Sequence, residues 1–570
     1  MVAFVDFAAD LTLGVIKFLD VVDSSRLAVT SQRYYYLVME YRQQRGAELV
    51  AVANANTVAK TNEPPRTIIT RSVHALQSKP NLILSFSTAE NETRDGASNL
   101  EKTYGSSYPS PTILLGAEAY SIQVNNAQST AKAMGTNEGI TLEHSSSFSL
   151  MAVNFPNARV LPFKVTFHQR DLETILLERQ LEDVGDLSTW KAMILYAADQ
   201  EGQAMVEKFI TRIQHLLPQI AIVGGMCDGG YVSKQNYTRD QLMTLSVAQL
   251  RTFPEARGLH FIEKSELVDH IQTKKNDLQS TICEVDAGLF GVVLGGDVPV
   301  KSVVSRGVRS AFHGKEQSIS PFVVEKSQIV HPSDDDYMFD FRNSEDATSY
   351  HLISKIRDTD AEETMSAMQL IAKGIESGHR AEFIGLKRLQ SDGFELENLH
   401  HMSARTGDLI VFTDGSRPQA ESLEGAEIDL FYLDGVSCME DMDKTIAKLK
   451  EQTKGEEILG AVMFSCAGRG PEPSHLIPEE MSDAKRFAKG FPKVPCLGFY
   501  AGGEIGPLAL AANEKVFQTG RAAVQGFTAV FALFIVPKVE SIVFQLNDSP
   551  QNVRGFVRAR VGLTGQQSLL

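Results

Sequence analysis

The sequence has few of the residues that mark disulfide scaffolds or metal knuckles. Its five cysteines, at positions 227, 283, 438, 466 and 496, are an odd and widely separated set with no Cys-x-x-Cys spacing. This pattern predicts neither a disulfide framework nor a zinc knuckle, and it favours a reducing compartment. We therefore expect a protein of the cytoplasm, the nucleus or both, with no cofactor and no metal.

The chain also has no apolar run long enough to cross a bilayer. The longest late run, Phe527 to Pro537, is about half of the roughly 20 residues that a transmembrane helix needs. The apolar N-terminus is interrupted by Asp6, Asp10 and Asp20, and no basic region precedes it. It therefore predicts neither a membrane span nor a secretory signal.

Positive charge is in deficit. The chain has 55 Lys and Arg against 71 Asp and Glu, a net charge of −16. Binding to nucleic acid without sequence preference needs a basic surface that releases counterions, so we expect no nucleic-acid partner. The length of 570 residues exceeds the roughly 250–300 that one hydrophobic core can organise, which predicts several domains.

Several enzyme signatures are missing as well. No G-x-G-x-x-G opens a helix, and neither a P-loop nor a G-x-S-x-G elbow occurs. His400 and His401 are adjacent rather than four residues apart, and the run Asp334–Asp336 lacks the other ligands of a calcium loop. The sequence thus predicts no nucleotide site and no metal site.

Changes in composition along the chain predict four segments. Apolar residues recur at helical spacing over residues 7–45, and a polar stretch ending in two prolines follows. Beyond it, apolar runs alternate with helical patterns, which favours mixed α/β layers. We predict a helical segment at 1–50, a linker at 51–66, and two domains of mixed sheets layered with helices at 67–280 and 281–570.

Individual elements follow from the same patterns. One internal echo, Gly-xxx-Gly-Gly at Gly225–Gly230 and again at Gly498–Gly503, would suit two related halves. The predicted strands are 81–87, 112–115, 149–153, 288–294, 300–305, 408–413, 458–465 and 494–500, and the predicted helices are 171–183, 198–216, 360–376 and 439–454.

Two glycine-rich strand ends carry the strongest chemical signal. Glycines just past a strand permit close backbone approach and leave N–H groups for a polar ligand. Arg469 could hold a carboxylate and Glu504 an ammonium, which suits a zwitterion such as an amino acid. Alternatively the segments are tight turns, with these two side chains paired to each other or to backbone. The candidate ligand-binding residues are Ser465, Cys466, Gly468, Arg469, Gly470, Gly502, Gly503, Glu504 and Gly506.

Cys466 also has a possible catalytic role. It follows a strand and precedes a glycine turn, where backbone N–H groups could stabilise an oxyanion, and His475 is a nearby candidate base. The alternative is a buried structural cysteine. We expect no catalytic residue.

The strand ends LGAVMFSCAGRG and VPCLGFYAGGEIGP, followed by QGFTAVF, closely resemble the C-terminal FIST domain. Where the family pattern has asparagine, histidine and tyrosine, this chain has Ala467, Gln525 and Phe527. Residues 287–307 resemble the opening of that domain. The N-terminal FIST half is resembled more loosely by Lys79–Ser87, Leu115-Gly116 and Ile222–Gly225.

Residues 11–42 resemble an F-box, a helical module that exposes apolar side chains to its partner. The usual Leu-Pro start is replaced by Phe7-Ala8, and the usual tryptophan by Tyr34 or Tyr35. Burying a few large apolar side chains is enough for stable docking at about 25 cal/mol per Å². The expected adaptor-binding residues are Leu11, Val15, Ile16, Phe18, Leu19, Leu27, Tyr34 and Leu37.

The order of an F-box before a FIST region implies a substrate-recognition subunit of an SCF-type ubiquitin ligase. The implied partners are a Skp-type adaptor, a cullin scaffold and a protein substrate marked for ubiquitin-dependent catabolism. A small polar ligand is a further candidate partner of the FIST region. The alternative is a stand-alone intracellular sensor of amino-acid-like molecules without a ligase role.

Overall fold

The structure is a computed structural model that describes part of the chain. The F-box-like residues from Leu11 to Leu37 lie outside the described part, so the adaptor-binding prediction has no structural counterpart here. The described residues are 48–53, 69, 80–104, 112–125, 140–143, 148–155, 158–235, 237–251, 253, 256, 263–277, 281–296, 298, 300–312, 321–330, 350–378, 380–387, 394–399, 406–412, 422–492, 494–507 and 522–537.

The first half of the described chain contains twelve strands and six α-helices. The strands are β1 (Glu48–Ala53), β2 (Leu82–Ser87), β3 (Ile113–Glu118), β4 (Ile122–Asn125), β5 (Ile140–Glu143), β6 (Phe148–Asn154), β7 (Ala158–Val165), β8 (Trp190–Ala198), β9 (Ala221–Cys227), β10 (Gly229–Ser233), β11 (Ile282–Val285) and β12 (Gly288–Gly296). The helices are α1 (Glu90–Tyr104), α2 (Arg170–Glu182), α3 (Asp199–Leu216), α4 (Arg239–Thr244), α5 (Val247–Leu250) and α6 (Lys264–Asp277).

The second half contains fourteen strands and three α-helices within the described ranges. The strands are β13 (Val300–Arg306), β14 (Val308–Ser310), β15 (Phe322–Val330), β16 (Tyr350–Asp358), β17 (Glu363–Ser366), β18 (Phe383–Lys387), β19 (Glu395–Asn398), β20 (Leu409–Phe412), β21 (Glu427–Leu433), β22 (Glu456–Cys466), β23 (Cys496–Ala501), β24 (Glu504–Pro507), β25 (Ala522–Gln525) and β26 (Thr528–Pro537). The helices are α7 (Ala367–Glu376), α8 (Gly435–Gln452) and α9 (Ser482–Gly490).

Three six-stranded sheets share one topology. Sheet 1 has the order β1-β6-β2-β3-β10-β11, sheet 2 the order β7-β12-β8-β9-β24-β25, and sheet 3 the order β13-β26-β22-β23-β4-β5. In each, only the third and fourth strands are parallel, and the other neighbours are antiparallel. That parallel pair is joined by a helix (α1, α3 or α9), as a parallel connection requires. The chain is therefore built from three structurally equivalent repeats.

In each repeat, one pair of strands adds to the edge of a sheet that another repeat forms. The pair β4–β5 from the first repeat completes sheet 3, β10–β11 from the second completes sheet 1, and β24–β25 from the third completes sheet 2. The exchange is cyclic, so every sheet depends on hydrogen bonds to a segment distant in sequence. The strand pairing also crosses residue 280, where we predicted a domain boundary, because β12 pairs with β7 and β8.

The inner faces of the three sheets enclose one apolar core. Phe86, Tyr196 and Phe464 occupy equivalent positions on the third strand of their sheets, and Tyr196 lies between the other two, with ring centroids 6.2 and 5.8 Å away. All three are fully buried. The edge-on ring contacts are of the kind that aromatic pairs prefer, so the centre of the molecule is closely packed.

A glycine recurs at one register position of the three repeats. Gly116, Gly224 and Gly498 lie opposite Ser85, Leu195 and Met463 on the parallel neighbour. The sequence echo that we read from Gly225 is therefore displaced by one residue, and the structure contains three related units rather than two halves. The three repeats share only one glycine at this position, and a single shared residue per repeat is too weak a signal to reveal the repeats from the sequence.

Sheet 4 is an insertion between β13 and β22. It has the order β17-β16-β15-β21-β18-β19, with β14 beside β21 and β20 beside β16. Helix α7 packs on one face of this sheet through Ala367 and Leu370, so sheet 4 has a core of its own. The sheet therefore extends the three-repeat body without entering its centre.

The mixed α/β class is confirmed, and so are the predicted strands, with ends shifted by one to three residues. The predicted helix at 360–376 is partly wrong, because 363–366 form β17 and α7 begins only at Ala367. Ser366 caps that helix by accepting from the Gln369 N–H, and an N-cap residue cannot itself be helical. In the described part of the chain, no helix combines the length and apolarity needed to traverse a bilayer.

Gly498→Ala tests the register that the three repeats share. A methyl group at this position would overlap the carbonyl oxygen of Met463 on the adjacent strand. We expect the variant to lose about 2 kcal/mol or more of unfolding free energy, seen as a lower midpoint in thermal or urea denaturation. Gly502→Ala is the matched control, because no atom lies within 4 Å of its added methyl group. Equal midpoints for the two variants would contradict the pairing.

Candidate functional site

The two glycine-rich segments come together at one end of sheet 3. They follow β22 and β23, which are parallel neighbours with Cys466 in register with Ala501. The turn residues Ala467, Gly468 and Gly502 are exposed, and Cys466 is half-buried. The sequence prediction that these segments share one place is consistent with this geometry.

Arg469 does not face a ligand. It is fully buried, and its guanidinium donates to Asp483 at 3.0 Å from Nε and at 2.7 Å from the second terminal nitrogen. The remaining nitrogen donates to the carbonyl oxygens of Ser305 at 3.1 Å and Phe527 at 3.3 Å. The prediction that Arg469 binds a ligand carboxylate is therefore corrected, because the protein's own Asp483 occupies it.

Glu504 is the buried acidic group of the site. Its Oε2 accepts from the Thr528 backbone N–H at 3.1 Å and from the Thr528 hydroxyl at 2.9 Å. Its Oε1 is buried and accepts no hydrogen bond from a nitrogen or oxygen atom of the described residues, and the Cys466 thiol lies beside the carboxyl. Burial raises the pKa of Glu504 to about 8, although the Thr528 hydrogen bonds, the charge of Arg469 and a hydrogen bond with the Cys466 thiol act in the opposite direction. Burial therefore favours the protonated form of this carboxyl.

Cys466 lies beside Glu504 but is not activated. Burial, followed by the neighbouring Glu504, raises the pKa of its thiol to about 12, whereas backbone N–H groups of Gly468 and Phe527 lower it less. A nucleophilic cysteine needs the thiolate, which this environment disfavours. His475 is exposed, and no hydrogen bond joins it to Cys466 among the described residues. The site geometry gives no support to Cys466 as a nucleophile.

A second buried arginine ties the exchanged strands β24–β25 to sheet 3. Arg306, at the end of β13, donates to the side-chain oxygen of Gln525 and, at 2.8 Å, to the carbonyl oxygen of Pro507. Burial lowers the pKa of Arg306 to about 10. Gln525 in turn donates to the carbonyl oxygens of Gly506 at 2.7 Å and Pro507 at 3.0 Å. Gln525 therefore has a structural role here.

The other candidate residues frame this cluster. Ser465 is buried and accepts from the Gln123 amide at 3.4 Å, and the Gly503 carbonyl accepts from the Met226 N–H at 2.9 Å. Gly470 has a φ of 151°, which favours glycine. Phe527 is buried against Cys438 and Ile477 in a small apolar cluster. These residues shape the two turns.

Sequence reasoning missed the partners that satisfy the buried charges. Asp483 lies in the first turn of α9, Ser305 and Arg306 end β13, and Thr528 begins β26. The Ser-Arg-Gly at 305–307 lies within the segment that resembles the opening of a FIST C domain, but nothing local marks these positions as neighbours of Glu504. The contacts exist because strand ends that are distant in sequence within the third repeat meet at one place.

The three-fold arrangement shows that the position of Glu504 is acidic in one of the three sheets. At the register position of Glu504, sheet 1 has Gly230 and sheet 3 has Ile122. At the position of Cys466, the second repeat has Ala198. Among these equivalent positions, only the junction of sheets 2 and 3 carries a carboxyl group.

Comparison with known proteins agrees with this location. The FIST C domain model matches residues 382–507, which include the last strands of sheet 4, both glycine turns and Glu504. An uncharacterized protein of Mycobacterium bovis is 30% identical over 182 residues, which cover 30% of this chain and 42% of the relative. An uncharacterized protein of Mycobacterium tuberculosis is 29% identical over 111 residues, 20% of this chain and 25% of that protein.

The chain thus contains a FIST C domain, a type of domain that suggests a sensor or ligand-binding role. It spans less than half the length of these curated relatives. The F-box and N-terminal FIST resemblances stay predictions from sequence.

Arg469→Ala tests whether this arginine is structural. The substitution would leave Asp483 buried without a counter-charge, and we expect a loss of about 3–5 kcal/mol in unfolding free energy. Arg239→Ala is the control, since it removes the exposed ion pair with Asp269 and should change the denaturation midpoint little. A well-folded Arg469→Ala protein with an unchanged midpoint would refute the structural role.

Glu504→Gln tests the protonation of the buried carboxyl. An unfolded glutamate has a pKa near 4.5 and the folded one about 8, so between these values the folded chain keeps a proton that the unfolded chain loses. Wild-type stability should therefore fall as the pH rises through this window. Because glutamine does not titrate, the midpoint of the variant relative to wild type should rise between about pH 5 and about pH 8. A pH-independent difference would argue against a raised pKa.

Proposed function

We propose that the FIST region binds a small polar ligand where the Cys466–Gly468 and Gly502 turns meet. The observation that carries this proposal is the buried Oε1 of Glu504, which has the half-buried Cys466 thiol beside it and no nitrogen or oxygen partner among the described residues. Buried polar atoms are almost always satisfied in folded proteins. An unpaired carboxyl oxygen next to exposed turns is therefore best explained as a group kept for a ligand.

The chemistry of the site favours a ligand that brings a cation. Glu504 can supply one negative charge, and Arg469 is already neutralised by Asp483. An ammonium group at Oε1 would stabilise the ionised carboxylate and lower its pKa. A zwitterion held by Arg469 is no longer favoured, because Asp483 and two backbone carbonyls already occupy its guanidinium. We propose a small amine or an amino-acid-like molecule recognised through its ammonium end.

A thermal-shift screen of amino acids and small amines tests this proposal. We expect one class of amine to raise the melting temperature of the wild-type protein, and Glu504→Gln to reduce that shift strongly because the ionisable oxygen is lost. Asp429→Asn is the matched control, because Asp429 is a buried carboxyl in sheet 4, far along the chain from the turns. If no amine stabilises the wild type, or if Glu504→Gln responds equally, the ligand proposal fails.

We also propose the role that the N-terminal sequence implies, that of a substrate receptor in an SCF-type ubiquitin ligase. The support is the F-box-like pattern of residues 11–42 ahead of a FIST region. The segment would bind a Skp-type adaptor and, through it, a cullin scaffold, while the FIST region recruits the protein substrate. Ubiquitin transfer would then depend on proximity in the assembled complex, without a catalytic residue in this chain.

A pull-down with the Skp-type adaptor tests the ligase proposal. We expect the full chain to retain the adaptor, and Leu11→Asp with Leu19→Asp to abolish retention because both lie on the predicted apolar helix face. Lys17→Ala is the control, since a charged side chain is not expected to enter that interface. No retention by the full chain, or retention unaffected by the double variant, would leave the stand-alone sensor as the better account.

A further inference from the structure

Helix α7 has a second apolar face that sheet 4 does not cover. Its inner face packs on the sheet through buried Ala367, Leu370 and Gly374. On its outer face, Met368 is 55% exposed and Ile375 is 62% exposed. Residues i and i+7 of a helix lie on the same side, and Ala372 between them is exposed too. The outer row is therefore one continuous apolar strip.

This strip differs from ordinary scattered exposure. Single exposed apolar side chains are normal, but contiguous ones mark an interaction surface. Half-buried Ile371 lies between the face of α7 that packs on sheet 4 and the exposed face. The apolar surface of the helix therefore extends beyond the part that sheet 4 buries. The helix is well defined because Ser366 and Gln369 form a reciprocal capping box.

The surroundings of the strip are acidic. Residues 358–380 contain five Asp or Glu, one Lys and one Arg, a local charge of 2 − 5 = −3. The lysine, Lys373, is held by Asp358 at 2.7 Å. Glu363 lies opposite Asp358 in the strand pair and is exposed, and Glu376 directly follows Ile375. At the other end, Asp408 follows Gly407, which lies close to Met368.

We propose that the outer face of α7 is a docking site for an amphipathic helix of a partner protein that carries Lys or Arg beside its apolar row. Apolar residues at helical spacing supply the contact, and the acidic rim selects the charge. The same rim would repel anionic lipid head groups. It would also disfavour a two-fold dimer through α7, because such an interface brings the acidic rims of the two copies together. The surface is separate from Glu504 and goes beyond the ligand and ligase proposals.

Fluorescence anisotropy with the full chain tests this docking site. The probe is a labelled synthetic helix of about 18 residues, or five turns, with leucines along one face and lysines beside them. A matched probe has glutamate in place of each lysine. We expect the lysine probe to bind wild type at least about tenfold more tightly than the glutamate probe, and this preference to shrink at high salt.

Variants of α7 locate the binding. Met368→Glu with Ile375→Glu should weaken the lysine probe by about tenfold or more, whereas Val436→Glu, which changes an isolated exposed apolar residue on α8, should not. If the double variant does not fold, Ile375→Lys alone should give the same direction. Glu504→Gln should leave probe binding unchanged, which separates this inference from the ligand proposal.

Several outcomes would overturn the docking site. They are absence of binding by the lysine probe, equal binding of the two probes, and equal binding by wild type and the α7 variants. Light scattering gives a further one, because a dimer that Met368→Glu with Ile375→Glu converts to a monomer would identify a second copy as the occupant. Binding to anionic vesicles that the same variant abolishes would identify a membrane.

Discussion

The buried ion pair of Arg469 and Asp483 is the interaction on which the site depends. It joins the turn after β22 to the first residues of α9, and the same guanidinium reaches backbone carbonyls at the end of β13 and before β26. Isolated buried charges are costly, so these four segments must assemble together for the arginine to be satisfied. The glycine turn, with Cys466 at its start, is held in place as a consequence, and Glu504 comes to lie against it.

The three-fold exchange of strand pairs explains why Glu504 is where it is. Strand β24 belongs in sequence to the third repeat but completes sheet 2, and its first residue meets the end of sheet 3. Equivalent junctions exist between the other sheets, yet Gly230 and Ile122 occupy the matching positions there. A common scaffold thus offers three similar junctions that carry different side chains, with Glu504 at one and the carboxyls of Glu118 and Asp228 at another. Side chains decide function here more than the fold does.

Local sequence patterns predicted many of the strands and the two glycine turns. Apolar runs bounded by glycine predicted strands such as β22 and β23, because buried parallel strands are nearly continuous in apolar residues. Glycine turns after two such runs predicted one candidate site, and the two turns lie side by side at the ends of neighbouring strands. The partner of Arg469 was not predictable, since Asp483 lies beyond a loop and carries no pattern of its own. Nor was the strand exchange, because pairing between distant segments leaves no periodic signal in a single sequence.

We infer that burial keeps the pKa of Glu504 raised until a ligand brings a positive charge to it. Calorimetric titration of an amine that stabilises the protein, repeated near neutral pH in two buffers of different ionisation enthalpy, measures the protons released on binding. We expect wild type to release most of one proton on binding, because the ammonium drives Glu504 from its protonated to its ionised form. Glu504→Gln should release no such proton. Binding without proton release in the wild type, or the same release in both proteins, would contradict it.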